Sequence, residues 1–305
     1  MKVIRQVDEL RHTLDAARRE GKSIGFVPTM GFLHAGHRAL MAQAGRACDL
    51  VVVSIFVNPL QFGVNEDLAG YPRDFDSDIA ACNAEGVEVV FHPSAEEMYP
   101  LPMRTVVTVT GLTDRLCGAS RPTHFAGVAT VVAKLFAMVG PCDAFFGKKD
   151  YQQVAVVKRL VEDLSLPVAV VECPTVREDD GLAMSSRNTY LGASERENAL
   201  ALSRSLFALV DLIGSGERDR LRIESQLALS LGNSLGIALD YAEVLLGDDL
   251  SLTDEIEIGR EYVAAVAARV GTARLIDNVS FTIDSNGKLL ADLGALRDGL
   301  PFVRS

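Results

Sequence analysis

Residues 23–57 read SIGFVPTMGFLHAGHRALMAQAGRACDLVVVSIFV, and their hydrophobic pattern indicates the architecture of the first half of the chain. It begins with a short apolar run, residues 23–29, and ends with a continuous run rich in β-branched residues, residues 50–57. The pattern between them, over residues 36–48, is that of a helix. A continuous apolar strand is typical of a parallel sheet that is covered on both faces. The stretch therefore predicts a β-α-β unit.

The same alternation continues along the first half of the chain. Further strands are predicted at residues 87–91, 143–146 and 168–172, and helices at residues 74–85, 127–139 and 151–164. This order predicts a doubly wound (Rossmann-like) parallel sheet over residues 1–175. Such sheets bind ligands at the carboxyl ends of their strands, where the strand order reverses.

The pattern changes after Pro174. A polar loop over residues 177–188 precedes two predicted helices, residues 193–215 and 218–231, and then three predicted strands, residues 239–245, 262–270 and 274–281. Gly271 and Thr272 separate the last two strands, which predicts a tight hairpin. We expect a smaller α+β domain with a short antiparallel sheet over residues 176–285, acting as a lid over the site, and a mobile tail over residues 286–305.

Composition narrows the class of protein. The 305 residues carry 41 Asp plus Glu against 30 Lys plus Arg, a net charge of −11, and no basic patch is segregated. Because this charge repels a nucleic-acid backbone, we expect no nucleic-acid partner. No apolar run reaches the length of a membrane span and the N-terminus has no signal-peptide core, so a soluble cytoplasmic protein is expected.

The five cysteines form an odd set without a C-x-x-C pair. This spacing argues against a zinc knuckle and against a disulfide framework. Four of them fall in or beside predicted helices and strands, where a small buried hydrophobic residue is the usual explanation. Cys117 lies in a Gly-rich loop, and there too a packing role is favoured over chemistry.

The turn between the first strand and the first helix contains two histidines, His34 and His37, on either side of Gly36. A helix N-terminus favours an anion, and both imidazoles can aim donors at a phosphate there. Zinc is disfavoured because no Cys pair or Glu completes a set of ligands. A P-loop ATPase is disfavoured because Lys149, and not Ser or Thr, follows Gly147-Lys148, and a dinucleotide dehydrogenase is disfavoured because the first turn lacks G-x-G-x-x-G. The phosphate-binding histidine turn of nucleotidyl-transfer enzymes remains.

Several motifs in order resemble one family, the pantothenate synthetase (pantoate-β-alanine ligase) family. The motifs are MGFLHAGH (30–37), SIFVNPLQFG (54–63), YPRD (71–74), LCG with RP and HF (116–125), GVATVV (127–132), FGKKDYQQ (146–153) and DGLAMSSRN (180–188). The resemblance spans nearly the whole chain except the tail. It implies an ATP-dependent ligase that condenses pantoate with β-alanine through a pantoyl-adenylate, releasing AMP and pyrophosphate. It also implies a homodimer, with Mg²⁺ held mainly by the ATP phosphates and no tightly bound organic cofactor.

The resemblance also implies the residues of the site. Expected catalytic donors, which stabilise the charge that develops during adenylation, are His34, His37, Lys149 and Arg187. Pantoate is expected at Gln61, Gln153, Pro28 and Met30, and β-alanine at Gln61 and Asn58; no residue is expected to ligate a metal. The expected ATP-binding residues are Met30, Gly31, Phe32, Leu33, His34, Ala35, Gly36, His37, Gly147, Lys148, Lys149, Asp150, Val176, Met184, Ser185, Ser186 and Arg187. Gly147 and Asp150 would lie near the ribose, and Val176 and Met184 near the adenine.

Other interpretations stay open for single residues. A glutamine at a strand end is usually a solvated surface residue, and Asn58 before Pro59 is also suited to form a turn. Ser185 and Ser186 suit a helix cap as well as a mobile flap that closes Arg187 over phosphates, which we favour. The acidic residues 178–180 are read as a solvated loop.

The sequence departs from the family pattern at three positions. Lys148 stands where Glu is usual, Thr123 where Gly is common, and Ala126 where Arg or Lys is common. These departures concern loop details near the substrates. They leave the expected nucleotide-contacting set intact.

Three other functions fit the sequence less well. A nucleotidyltransferase acting on a phosphorylated precursor would call for extra basic residues, whereas Gln61 and Gln153 suit an acyl substrate. An aminoacyl-tRNA synthetase is disfavoured because the net negative charge and the short second domain offer no surface for tRNA. A nucleotide-sensing module would be expected to lose the donors that matter only in a transition state.

Overall fold

The computed structural model describes residues 1–63 and 68–303, and its chain divides into two compact units. The first unit comprises Met1–Thr113, Arg121–Lys148 and Val156–Cys173. The second comprises Asp114–Ser120, Lys149–Ala155 and the chain from Pro174 onwards. Two short segments that precede Pro174 thus belong to the second unit. The lid role assigned to residues 176–285 stays a prediction.

The secondary structure alternates as the sequence indicates. The strands, in chain order, are β1 (Lys2–Ile4), β2 (Ile24–Thr29), β3 (Leu50–Ile55), β4 (Val89–Phe91), β5 (Cys142–Gly147), β6 (Val168–Cys173), β7 (Ile237–Leu246), β8 (Glu261–Val270), β9 (Ala273–Ile283) and β10 (Leu289–Asp292). The α-helices are α1 (Val7–Arg19), α2 (Ala35–Ala47), α3 (Phe75–Ala84), α4 (Ala95–Met98), α5 (Leu116–Ser120), α6 (His124–Val139), α7 (Tyr151–Asp163), α8 (Ala193–Gly214) and α9 (Arg220–Gly232). The 3-10 helices are η1 (Pro59–Gln61), η2 (Lys148–Asp150) and η3 (Ser186–Tyr190).

The first unit contains a six-stranded sheet in the order β1-β4-β3-β2-β5-β6, in which every neighbouring pair is parallel. All six residues of β3 are buried, as its continuous apolar sequence predicts. From β2, the chain adds β3 and β4 on one side, and β5 and β6 lie on the other. The strand order therefore reverses between β2 and β5, and the predicted doubly wound parallel sheet is confirmed.

The second unit contains a four-stranded antiparallel sheet in the order β10-β9-β8-β7. Helices α8 and α9 contribute to a common hydrophobic core with inward-facing residues of β8 and β9. Val270 pairs with Ala273, so Gly271 and Thr272 form a two-residue turn in which Gly271 adopts a φ of +57°. The predicted hairpin is confirmed, and so is the α+β character of this part of the chain.

The segment expected as a mobile tail contains a strand that the sequence pattern did not predict. Residues Leu289 to Asp292 form β10 and pair with residues Ile283 to Ser280 of β9. Leu289 and Ala291 pack against the hydrophobic core of the second unit. Four residues are too few to show a period in the sequence, which is why the strand was missed. Residues 304 and 305 lie outside the described residues.

None of the helices within the described residues is long and apolar enough to cross a membrane. All five cysteines are free thiols, four of them buried and Cys48 partly buried. Burial raises the pKa of the Cys82 thiol to about 12, with the Asp78 carboxylate adding to the rise.

Candidate active site

The histidine turn follows β2, at the point where the order of the parallel strands reverses. Pairing of β2 with β5 involves only Gly25 and Phe26, so Pro28 lies beyond the end of that ladder, where its missing N–H removes no hydrogen bond. The Thr29 hydroxyl connects the neighbouring strand β3 to the turn. It donates to the Ser54 carbonyl at 2.8 Å and accepts from the Gly31 N–H at 3.2 Å. Residues 30–37 therefore sit at the carboxyl edge of the sheet, as predicted.

The two histidines cap the helix that they precede. His34 is the N-cap of α2, and its Nδ1 accepts from the Gly36 N–H at 3.2 Å. His37 reaches back, and its Nδ1 accepts from the His34 N–H at 3.3 Å. The rings lie 4.1 Å apart between centroids. This is a capping box built from two imidazoles instead of Ser and Glu.

The capping box assigns the tautomer of both rings. A neutral imidazole that accepts at Nδ1 carries its proton on Nε2, so Nε2 is the donor atom of each histidine. One sequence-based expectation changes as a result, namely that the free N–H groups of the helix start bind an anion. The N–H groups of His34 and Gly36 are taken by the rings, so at these positions the imidazole Nε2 atoms replace them as donors.

Asp78 on α3 holds the backbone of the turn in place. Its two carboxylate oxygens accept the consecutive N–H groups of Phe32 and Leu33 at 2.9 and 2.7 Å. Gly31 and Phe32 both adopt positive φ, +81° and +53°. A Cβ on Gly31 would come within 2.8 Å of the Asp78 carboxylate, so only glycine allows this approach.

Sequence reasoning missed Asp78. The side chain is on the buried face of α3 together with Cys82, one helical turn further on, and the residue is only 3% exposed. Burial raises the pKa of Asp78, while the N–H groups of Leu33 and Phe32 lower it. An acidic residue at a core position of a helix was the available signal, because a buried carboxylate needs donors to face it.

Gln61 and Asn58 meet in the first unit at the end of β3. The Gln61 Oε1 accepts from the Asn58 side-chain amide at 3.1 Å, and its Nε2 points at the Met30 sulfur at 3.0 Å. Gln61 is buried, which excludes the alternative of an ordinary solvated glutamine. Two of the residues predicted for pantoate, Gln61 and Met30, are therefore in contact.

Asn58 uses its whole side-chain amide inside the protein. Its Oδ1 accepts from the Leu60 N–H at 3.2 Å and from the Tyr99 hydroxyl at 2.7 Å. Its Nδ2 donates to Gln61 and to the Gly127 carbonyl, the latter at 3.2 Å. The turn-forming role of Asn58 is thus present, because the Leu60 contact caps η1.

Helix α6 packs directly on η1. A Cβ added to Gly127 would lie 2.2 Å from the Leu60 carbonyl oxygen and 2.6 Å from the Gln61 nitrogen, so the helix can approach this closely only at glycine. The Gln61 carbonyl also accepts from His124 Nδ1 at 3.0 Å and from Arg121 at 3.3 Å. The motif over residues 116–132 therefore supports the backbone that carries Gln61.

Gly147 ends β5 and pairs with Cys173 of β6. A Cβ built on it would meet nothing within 4 Å, and its φ does not require glycine. Packing within the described protein thus does not explain this glycine, whereas it does explain Gly31 and Gly127.

In the second unit, the predicted residues lie on separate local segments. Lys149 has a side chain that is 16% exposed, and its ammonium lies 3.9 Å from the Asp150 carboxylate. Val176 and Met184 are joined by a backbone hydrogen bond of 2.9 Å, which brings the two residues predicted for the adenine together. Gln153 lies on α7.

The segment with Ser185, Ser186 and Arg187 forms the start of η3. The Ser185 hydroxyl accepts from the Arg187 N–H at 3.3 Å, so the capping role considered for this serine is present. The flap role of the segment stays a prediction.

The acidic loop before this segment is held by arginines. Glu178 pairs with Arg196 at 3.3 Å and with Arg297 at 2.8 Å, and Asp180 pairs with Arg196 at 2.7 Å. Asp179 and Asp180 are exposed and Glu178 is half-buried, as expected for a solvated loop, and Glu178 and Asp180 also form these ion pairs. No group of three or more His, Cys, Asp or Glu residues that suits a metal ion is found over residues 1–63 and 68–303.

Arg177, which precedes the acidic loop, is completely buried. It forms a bidentate pair with Asp277 of β9, at 2.7 and 3.0 Å. Its other N–H groups donate to the carbonyls of Gly181, Asn278 and Leu293, and its guanidinium lies 5.1 Å from the centre of the Phe207 ring. All five guanidinium donors are thus satisfied. The signal in the sequence for this buried pair was Asp277, a charged residue at a position of β9 whose side chain faces inward.

The predicted site residues divide between the two units. The first unit holds Pro28, Met30, Gly31, Phe32, Leu33, His34, Ala35, Gly36, His37, Asn58, Gln61, Gly147 and Lys148; the second holds Lys149, Asp150, Gln153, Val176, Met184, Ser185, Ser186 and Arg187.

Comparisons with known proteins agree with the resemblance read from the motifs. A family model described as pantoate-beta-alanine ligase matches residues 2–280. A pantothenate synthetase of Rhizobium etli is 51% identical over 279 residues, which cover 91% of this chain and 93% of the relative. The solved pantothenate synthetase of Thermus thermophilus is 46% identical, with a TM-score of 0.85, over 91% of this chain and 98% of its own.

A more distant solved structure is the pantoate-beta-alanine ligase of Francisella tularensis, complexed with beta-gamma ATP and beta-alanine. It is 31% identical, with a TM-score of 0.74, and the match covers 91% of this chain and 97% of that one. The match of the family model, the identities and the shared architecture cover almost the same length of chain. The protein belongs to the pantoate-β-alanine ligase family.

Proposed function

We propose that this protein condenses pantoate with β-alanine at the expense of ATP, through a pantoyl-adenylate, and releases AMP and pyrophosphate. The observation that carries the proposal is the double-histidine capping box at the point where the strand order reverses. It presents two imidazole donors beside the positive end of the α2 dipole, which suits a polyphosphate. Membership of the family supplies the reaction class.

The histidines take the role of phosphate donors. Because both Nδ1 atoms are engaged with backbone N–H groups, each ring is oriented before any ligand arrives, and Nε2 carries the proton. Preorganised donors of this kind stabilise charge without rearranging during the reaction, and removing one costs about 10²- to 10³-fold in rate. Residues 30–33, in the turn that Asp78 holds in place, are assigned to contact the nucleotide.

Pantoate is assigned to Gln61, Met30 and Pro28 of the first unit, with Gln153 of the second. A thioether is a weak hydrogen-bond acceptor, so a carboxylate or hydroxyl oxygen of a substrate is a better partner for the Gln61 amide than Met30 is. A neutral amide binds such oxygens without adding charge. Removing the Gln61 amide leaves the substrate oxygen without its hydrogen-bond donor.

β-Alanine is assigned to Gln61, with Asn58 beside it. Since all four hydrogen-bonding positions of the Asn58 amide are used inside the protein, its contribution is to fix the orientation of Gln61. A direct contact with β-alanine would require Asn58 to give up one of these bonds.

The second unit is proposed to supply the remaining donors. Lys149, Arg187, Ser185 and Ser186 carry the charge and hydroxyl groups that suit phosphate oxygens, and Lys148 of the first unit precedes Lys149 in the chain. Gly147, which packing leaves unexplained, allows close approach of the ribose near Asp150. Val176 and Met184 form an apolar pair for the adenine. The domain over residues 176–285 is proposed to act as a lid.

The chemistry needs no covalent intermediate with the protein. A pantoate carboxylate oxygen attacks the α-phosphorus, and the bond from that phosphorus to the bridging oxygen of pyrophosphate breaks. The β-alanine ammonium loses a proton to become the free amine, which attacks the acyl carbon; the bond to the AMP oxygen then breaks and the nitrogen loses a second proton. Positioning of the two reactants and stabilisation of the developing charge supply the rate.

ATP is expected to arrive as its magnesium complex, with Mg²⁺ held mainly by phosphate oxygens, because Mg²⁺ retains most of its water and prefers such ligands. The family resemblance also supports a cytoplasmic homodimer. Sedimentation of the purified protein tests the oligomeric state.

The test is a half-reaction. The protein is incubated with ATP, Mg²⁺ and pantoate without β-alanine, and pyrophosphate is measured. We expect a burst close to one pyrophosphate per site, and steady release of AMP and pantothenate once β-alanine is added. Absence of pyrophosphate with pantoate, with or without β-alanine, refutes the proposal. Release with a phosphorylated cofactor precursor instead of pantoate supports the nucleotidyltransferase alternative.

A further inference from the structure

Two consecutive residues of β9, Asp277 and Asn278, connect to two segments that carry proposed phosphate donors. Successive side chains of a strand point to opposite faces of the sheet. Asp277 faces the hydrophobic core side with Leu275 and Val279, and Asn278 faces the other side. β9 pairs with β8 from Ala273 to Thr282, so the backbone of Asp277 and Asn278 is held by that strand, whereas β10 pairs only with residues 280–283.

Asn278 holds the backbone of Lys149. Its side-chain Nδ2 donates to the Lys149 carbonyl at 2.8 Å, and the residue is buried. A lysine ammonium sits at the end of four rotatable bonds, so its position depends on where the backbone begins and on how the stem is packed. The Lys149 side chain is largely buried, at 16% exposure, so displacement of its backbone displaces its ammonium.

Asp277 holds the start of the loop that leads to Arg187. It pairs with the buried guanidinium of Arg177 through both oxygens, and the same guanidinium donates to the Asn278 carbonyl at 3.2 Å. Arg177 also donates to the Gly181 carbonyl at 3.0 Å. The segment with Lys149 and the loop before Ser185 are thus both anchored to one dipeptide of a rigid strand.

We propose that Asn278 is a positioning residue for adenylation, which acts by holding Lys149 in line with the ATP phosphates. The proposal rests on the proposed function, because it requires Lys149 to stabilise the phosphates during pyrophosphate release. In this proposal the effect of Asn278 reaches the reaction through its hydrogen bond to the Lys149 carbonyl.

The experiment is a double-mutant cycle in the pyrophosphate-release assay, with ATP, Mg²⁺ and pantoate. Asn278→Leu removes the donor while keeping the branching at Cγ and the number of side-chain heavy atoms, and we expect it to lower the maximal rate roughly 10- to 10²-fold, the scale of a displacement of about 1 Å. The KM for pantoate should stay unchanged. Lys149→Ala should be slower, and the double variant should be no slower than Lys149→Ala alone, because both changes remove the same interaction.

Ser280→Ala is the matched control, since Ser280 is buried on the same face of β9 two residues on. It should keep the full rate. Asn278→Ala, read in the same cycle, decides the matter if Asn278→Leu fails to fold, as judged by thermal unfolding.

The outcomes separate the two proposals. If Lys149→Ala retains the full rate, the assigned role of Lys149 is wrong, and the role of Asn278 falls with it. If Lys149→Ala is slow but the Asn278 variants are not, only the positioning role is wrong. A double variant whose loss is the product of the two single losses likewise overturns the positioning role, because Asn278 then acts independently of Lys149.

Discussion

Replacing Gly127 by alanine tests whether the packing of α6 on η1 positions Gln61. The added Cβ would lie 2.2 Å from the Leu60 carbonyl oxygen, where ordinary contact begins at 3.4 Å. The obstacle is backbone, which cannot rotate away as a side chain does. Moving the Leu60 carbonyl to ordinary contact takes a displacement of about 1.2 Å, of the scale that costs about 10²-fold in rate when it moves a substrate-positioning group.

The displacement should act on pantoate more than on ATP. η1 ends at Gln61, and the hydrogen bonds from Asn58 to the Gly127 carbonyl and to Gln61 join the same elements. We expect Gly127→Ala to raise the KM for pantoate and to lower kcat/KM about 10²-fold, with KM for ATP little changed. The free energy of unfolding should change by less than the overpacking cost alone. That cost is about 1–3 kcal/mol, and alanine offsets part of it because it gains about 1 kcal/mol in helix propensity over glycine.

The assay is the initial rate of pyrophosphate release, with urea unfolding measured on the same samples. Ala137→Gly is the matched control: it lies on the exposed face of α6, loses about 1 kcal/mol of helix propensity, and places no atom against η1. It should keep its kcat/KM for pantoate. If Gly127→Ala keeps the kinetic constants for pantoate, then either the packing does not position Gln61 or Gln61 does not bind this substrate, and the reasoning is refuted.

Three further predictions concern the turn and the buried ion pair. His34→Asn keeps a good N-cap but removes the imidazole. Pyrophosphate release should therefore fall about 10²- to 10³-fold, while the unfolding free energy changes by less than about 0.5 kcal/mol. An unchanged rate would contradict the phosphate role of His34. In Asp78→Asn the side-chain amide can accept only one of the two N–H groups that Asp78 accepts, so the protein should lose about 1–3 kcal/mol of stability. Calorimetry should show weaker ATP binding. Full ATP affinity would show that the two hydrogen bonds from Asp78 to the turn are not needed. Arg177→Leu leaves Asp277 buried without its ion-pair partner and should lower the free energy of urea unfolding by about 3–5 kcal/mol. The additional change Asp277→Leu should restore part of that stability. A loss below about 1 kcal/mol for Arg177→Leu would disprove the buried pair.

The sequence predicted the strands and helices well where their pattern was long. β3 and α2 follow directly from a continuous apolar run and from a helical period, and the Gly271-Thr272 turn follows from the residues that a two-residue hairpin needs. It did not predict β10, because the pairing with β9 and not a local pattern makes those four residues a strand. Short elements depend on their neighbours more than on their own residues.

The candidate site was predictable where the residue type itself carries the chemistry. His34, His37, Lys149 and Arg187 are donors by nature, and a motif places them. Asp78 and Asn278 were not predictable in this way, because an acid or an amide acquires its role from the backbone N–H or carbonyl group that tertiary folding brings to it.

The sequence by itself determined the β-α-β order, the histidine turn and the family, because these depend on local patterns and on residue identity along a continuous segment. The fold of the whole chain brings Asp78 of α3 to the backbone of the histidine turn, whose own capping box is local. It also brings Gly127 of α6 against the Leu60 carbonyl, beside Gln61. The reason is physical: hydrogen bonds and close contacts between residues distant in sequence exist only once the chain is packed.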